Sequence, residues 1–298
     1  MSTTTLTTSS ATRIFWALPL AMAVFTCGFV LNFPFEEKIQ SLLQGALSQN
    51  PRCKVSFEKF ELTAFLPGVG LKKLVIPSQC FDKSGPPLDL DYLNFKLAGP
   101  SFSPLGIILK AETKLGQRPL VSHVALGPTQ QVISLQDQTI ALQELSKLLP
   151  GNLKLSGKAK LNGRAVLLQN QLADIQMLIE SKDFALPSQV LADLKIPALA
   201  IGAFGLKMET PTPRRLEIKS FILGDLNSPI RAKFSGDISL RPEALAQSAV
   251  NLKGEASFSD SFKNDFAILN LLLGQFTQKD GFYQIKLGGT LGQIKPMP

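Results

Sequence analysis

Residues Leu153–Leu167 read LKLSGKAKLNGRAVL. Leu153, Leu155, Gly157, Ala159, Leu161, Gly163, Ala165 and Leu167 fall on one side of an extended chain. Lys154, Ser156, Lys158, Lys160, Asn162, Arg164 and Val166 fall on the other. Strand side chains alternate between faces, so this period of two predicts a strand with one apolar and one wet face. The stretch is longer than an ordinary strand, and its glycines predict bends or bulges.

The same apolar-x-Gly-x-apolar pattern returns downstream. Phe234-Ser-Gly236-Asp-Ile238 and Leu252-Lys-Gly254-Glu-Ala256 repeat it, and Leu287-Gly-Gly289-Thr-Leu291 repeats it in shorter form. A glycine on the apolar side lets a long sheet curve or approach another layer closely. Gly157, Gly236, Gly254 and Gly289 are therefore the expected sheet-bending positions. Further strands are expected at 54–66, 70–76, 88–97, 107–114, 121–126, 132–135, 175–181 and 216–223. Pro67-Gly68, Gly85-Pro86-Pro87, Gly99-Pro100, Gly127-Pro128, Pro150-Gly151 and Asn227-Ser228-Pro229 supply the turns between them. Short helices are expected at 142–149 and 187–194, the second opening on Pro187, a favoured first-turn residue. An apolar segment, 259–276, is expected as a longer helix that plugs the concave side or one end of the sheet. The fold class is thus mainly β with a few short helices: a long, curved, antiparallel sheet in a domain spanning 50–298.

The N-terminus reads differently. Residues 1–13 form a short Ser/Thr-rich tail ending in Arg13, and residues 14–35 carry no charge. A helix needs roughly 20 apolar residues to cross a bilayer. Ile14, Phe15, Trp16, Leu18, Leu20, Val24, Phe25, Phe29, Val30, Leu31 and Phe33 supply the apolar surface of such a transmembrane helix. Ala21-Met22-Ala23 offers a signal-peptide cleavage site, but the apolar run continues well past it, which favours an uncleaved anchor over a cleaved signal or a buried core helix. Arg13 before the span and Glu36-Glu37-Lys38 after it favour a cytoplasmic N-terminus. Residues 36–49 follow as an amphipathic juxtamembrane helix, with Ile39, Leu42, Leu43, Ala46 and Leu47 at helical spacing.

The chain carries a net charge of +8, but its Lys and Arg residues are scattered rather than clustered, which argues against nucleic-acid binding. Its single histidine, His123, rules out a His-pair metal site, and no phosphate loop or nucleophile elbow occurs. Asp89 and Asp91 share one side of a strand, where solvated carboxylates are the ordinary finding. No enzyme activity and no cofactor are expected. Cys53 and Cys80 either close a disulfide, in an oxidising compartment, or stand as two separate buried thiols.

Arg13, the apolar span ending Phe33-Pro34-Phe35, the adjoining helix, the Gly-centred strands and the ending Leu287-Gly-Gly289-Thr-Leu291-Gly-Gln-Ile294-Lys-Pro296-Met-Pro298 have a common likeness. Together they resemble the long form of the general secretion pathway protein N of type II secretion systems. The resemblance implies an inner (cytoplasmic) membrane anchor, a periplasmic domain, and an accessory role in protein secretion through contacts with other secretion-system proteins. The layout is also similar to proteins of the AsmA type, which implies an apolar β-groove that binds or transfers phospholipid. The expected partners are therefore the lipid bilayer, secretion-system proteins and a bound phospholipid.

Overall fold

The computed structural model describes residues 35–48, 53–63, 68–81, 87–115, 118–146, 153–169, 171–191, 194–241, 244–266 and 273–297. The chain divides after Gln49 into two compact units. The first contains helix α1 (Phe35–Ser48), at the position expected for the juxtamembrane helix. The residues of the expected anchor, Ile14 to Phe33, lie outside the described residues. Among the described residues, no helix is long and apolar enough to cross a membrane.

The second unit is a meander. Its strands are β1 (Lys59–Thr63), β2 (Gly68–Ile76), β3 (Leu88–Phe102), β4 (Leu105–Leu115), β5 (Arg118–Leu126) and β6 (Gln130–Ala141). Then come β7 (Lys158–Leu168), β8 (Gln171–Leu186), β9 (Gln189–Leu191), β10 (Leu194–Ile196), β11 (Leu199–Thr212) and β12 (Arg215–Leu223). The last are β13 (Ile230–Ser239), β14 (Ala249–Phe258), β15 (Gln278–Lys279), β16 (Phe282–Thr290) and β17 (Gln293–Met297). The helices α2 (Leu142–Ser146) and α3 (Asp260–Asp265) interrupt them. β1 to β8 pair in sequence order, β8 then pairs β11, and the order continues to β14, β16 and β15; with β17 these make one curved 15-stranded antiparallel sheet. β17 adds to β16, and β9–β10 is a separate hairpin between β8 and β11. Nearly every strand thus meets its neighbour in sequence, because alternating segments joined by tight turns have their nearest partner in the preceding hairpin.

Several boundaries differ from the sequence expectation. β3 runs through Gly99-Pro100 instead of turning there, absorbing the glycine in a register shift between Leu97 and Gly99. β11 was not expected as a strand: Ala200, Gly202, Ala203 and Gly205 dilute its apolar period, and Gly202 adopts φ +79°. The helix expected at 187–194 is instead the start of the β9–β10 hairpin. The buried Gln189 amide explains it: it accepts from the Lys154 backbone N–H (2.8 Å) and donates to the Lys154 carbonyl (3.1 Å), which holds the segment extended. The long helix expected at 259–276 is interrupted after Asp265; residues 267–272 lie outside the described residues, and Leu273 is again helical. Ser259 caps the start of α3 by accepting from the Phe262 amide, and Phe266 leaves helical geometry at φ −124°, ψ 68°. α2 ends at Ser146, with 147–152 outside the described residues. Finally, Val166, expected on the wet face, is buried, because Val132 lies directly opposite it and Ala125 opposite Val132.

Candidate functional site

Residues in register across a sheet share a face, and here the registers link into long rows. One row runs Leu161–Ile179–Leu206–Phe221–Phe234–Gly254–Ile285 across β7, β8, β11, β12, β13, β14 and β16. The adjacent row runs Ala159–Ser181–Phe204–Leu223–Ala232–Ala256–Tyr283. On the earlier strands the same face carries Phe60–Leu71–Leu93 and Leu97–Leu109–Val124–Ile133–Ala165. None of these rows contains a charged side chain. Phe184 stacks on Phe204 at 5.1 Å, Phe204 meets Phe221 edge-on at 5.8 Å, and Phe221 meets Phe234 at 6.2 Å. A ladder of rings therefore crosses the middle of the apolar face, within the centroid range at which aromatic pairs attract.

Cover over this face is local. Leu142 of α2, Leu155, Ala159, Phe184, Leu199 and Ile201 form a buried cluster, with Leu145, Ile196 and Phe262 packed against it. α2, the β9–β10 hairpin and α3 thus close one region, and Phe262 of α3 does part of the plugging expected of the longer helix. A second cluster, Ile218, Ile238, Val250 and Leu252, is built by the sheet alone. Between and beyond them, Leu206, Phe221, Phe234 and Ile285 are only half-buried, and Ile107 and Ile133 are exposed. Among the described residues, the cover over Ala159, Phe204 and Leu223 leaves Leu206, Phe221, Phe234 and Ile285 half-buried.

The opposite face is charged and largely self-neutralised. Glu61 receives Lys59 and Lys72, each at 2.8 Å, and Lys219 bridges Glu209 and Glu217, each at 2.9 Å. Hydrogen bonds from Lys59 and Lys72 hold the Glu61 carboxyl below its ordinary range, and that from Lys110 does the same for Glu112. His123 lies exposed on β5, and Asp89 and Asp91 lie exposed on β3. Among the described residues, no cluster of metal-ligating side chains forms.

The four glycines singled out by pattern are places where a Cβ has no room. At Gly254 it would lie 2.1 Å from the Lys233 carbonyl oxygen and 2.5 Å from the Phe234 ring, which lies directly opposite. At Gly236 it would meet the Asn251 carbonyl at 2.2 Å, opposite a register shift in β12. Gly157 (φ +109°) and Gly289 (φ +106°) add left-handed backbone to similar contacts with Asp183 and Gln293. Cys53 and Cys80 are joined by a disulfide, which ties the segment before β1 to the turn after β2. The aromatic ladder was only partly foreseen, since Phe204 and Leu206 sit on the unexpected β11. The period of two in Phe204, Leu206 and Met208 was the available signal. The chain matches no protein-family model, no curated protein and no solved structure.

Proposed function

We propose that this chain is a membrane-tethered module that holds the acyl chains of phospholipid against the apolar face of its sheet. The observation that carries this reading is the charge-free row across β11, β12, β13 and β16, in which Leu206, Phe221, Phe234 and Ile285 stay half-buried. A sheet face of this kind must be buried to be stable in water, and a ligand with no polar demands suits it because Ser181 and Tyr283 are the only polar side chains in this row and the adjacent one. The N-terminal apolar span and α1 would keep the module at the inner membrane. The test is lipid mass spectrometry of the full chain, extracted in a neutral detergent. Near-stoichiometric phospholipid, lost on Leu206→Asp, supports the reading. Lipid at background level in the folded, unaltered chain refutes it.

The second reading, an accessory component of a type II secretion system, draws support from the edge at β17. Every residue of Gln293–Met297 is exposed, and β17 pairs only with β16. An unpaired edge of this kind can accept a strand from another protein, although Pro296 removes one N–H donor from it. Co-purification with co-expressed secretion-system membrane proteins, abolished by deleting residues 293–298, would support this reading. Unchanged capture after the deletion would remove the edge from consideration.

A further inference from the structure

At the C-terminal end of the sheet lies a cleft of about 550 Å³, whose lining includes Phe234, Gly254 and Ile285 of the apolar row together with Phe276. Lys233 of β13, Lys253 of β14 and Lys286 of β16 line it, with Gln275, Thr277 and Gln284. The segment bearing Gln275 and Thr277 is pinned beside β16, because the Gln284 amide donates to the Thr277 carbonyl at 2.9 Å. Lys253 and Lys286 are direct cross-strand partners. Their Cβ atoms are therefore about 5 Å apart, a placement at which like charges repel. Elsewhere on the charged face Lys72, Lys96, Lys110 and Lys219 each reach a glutamate. Glu255 lines the cleft too and lies in register with Lys233, yet none of the three lysines makes an ion pair among the described residues.

We infer that this cleft binds a phosphate ester, the three ammonium groups sharing the phosphate oxygens while Gln275, Thr277 and Gln284 hydrogen-bond its organic part. A dianionic or monoanionic phosphate relieves the Lys253–Lys286 repulsion and satisfies donors that find no acceptor among the described residues. The volume is within the range of small-ligand sites and exceeds what a bare phosphate fills. The source of the phosphate is either a lipid headgroup or a soluble phosphorylated molecule, which share this chemistry. The inference does not rest on the acyl-chain reading, because Lys233, Lys253 and Lys286 alternate to the side of their strands opposite Phe234, Gly254 and Ile285.

Lysine acetylation with mass-spectrometric readout tests it on the full chain in neutral detergent and phosphate-free buffer. The probes are inorganic phosphate, glycerol 3-phosphate, and mixed micelles carrying phosphatidylglycerol. Selective slowing at Lys233, Lys253 and Lys286, against constant labelling of exposed Lys160 and Lys207, is the expected result. Slowing by glycerol 3-phosphate or inorganic phosphate identifies a soluble source, and slowing by phosphatidylglycerol alone identifies a headgroup. Lys253→Gln/Lys286→Gln should weaken the protection remaining at Lys233 by at least about tenfold in probe concentration, the worth of one charge-assisted hydrogen bond. That variant removes a repulsion, so its melting temperature should hold or rise. Equal labelling with and without every probe, or equal slowing of all exposed lysines, overturns the inference. Loss of co-purified acyl chains on Leu206→Asp leaves it untouched.

Discussion

Replacing both Cys53 and Cys80 by serine should loosen one end of the sheet far more than the rest. The bond closes a loop of 27 residues. Applying the chain-entropy relation to that loop gives about 3.5 kcal/mol at 25 °C. Both cysteines are half-buried, so the serine hydroxyls can find water and the substitution itself adds little. Where the loss appears depends on topology. The bonded loop encloses β1 and β2, and these strands join the sheet only through the β2–β3 ladder. A terminal hairpin can open without unfolding its neighbours. Hydrogen exchange is therefore the right assay. Amides of β1 and β2 should exchange up to about 400-fold faster in the double variant, which is 3.5 kcal/mol expressed as an opening constant. Amides of β11 to β14 should be unchanged. An increase below about tenfold at β1 and β2, with the bond verified in the parent, would refute the entropic reasoning. Equal acceleration throughout the sheet would refute the local-opening part of it.

Other outcomes follow from single positions. Gly254→Val should destabilise the domain by about 3 kcal/mol, the upper end of overpacking costs, since its Cβ would strike backbone and the Phe234 ring. Gly163→Ala, whose Cβ sits 3.4 Å from the nearest atom, should change stability far less, and urea melts of the two variants make the comparison. Asp183 accepts from the Lys158 backbone N–H at 2.9 Å and from Ser181 Oγ at 3.2 Å, and the Lys158 hydrogen bond holds its carboxyl below the ordinary value of 3.8. Its contribution is fully present above pH 3.8 and is lost as the pH falls through the lower folded value. Asp183→Asn should therefore cost under about 1 kcal/mol at neutral pH, because the carboxylate is solvent-exposed. The difference from the parent should vanish in melts taken well below that range. Phe221→Leu should lower stability by about 1 kcal/mol through the lost ring contacts, measured by thermal melts, with a Phe204→Leu/Phe221→Leu cycle showing the two effects to be non-additive.

Much of this architecture was legible because a meander translates alternation directly into register. Leu153–Leu167 places its apolar set on the face where Ala159 and Leu161 are in fact buried. What the pattern could not show was context across strands. Val166 alternates onto the wet side, yet a valine opposite shields it. Pro187 signals a helix start, yet one buried glutamine amide outweighs that local preference by bonding to Lys154. β11 carries the centre of the aromatic ladder but is interrupted by alanine and glycine, so its period is visible only beside β8 and β12. The cleft at Lys233, Lys253 and Lys286 was illegible for the same reason: its lysines come together only through the pairing of β13, β14 and β16.

The two faces place different demands on anything that binds. The apolar rows carry no donor or acceptor beyond Ser181 and the Tyr283 hydroxyl, so they offer orientation to nothing and area to any chain of methylenes. The charged face offers the reverse at its C-terminal end, where Lys233, Lys253 and Lys286 make no ion pair among the described residues and burial adds little. A phospholipid has both chemistries in one molecule, but a single-layer sheet separates its two faces by the thickness of the backbone. One lipid reaches both only by crossing a sheet edge, and β15, β16 and β17 form the edge nearest the cleft. If the two sites serve one ligand, deleting residues 293–298 must uncouple them: acyl chains would still co-purify, while phosphatidylglycerol would no longer protect Lys286 from acetylation. If they serve separate ligands, the deletion leaves the protection by the soluble phosphate ester intact.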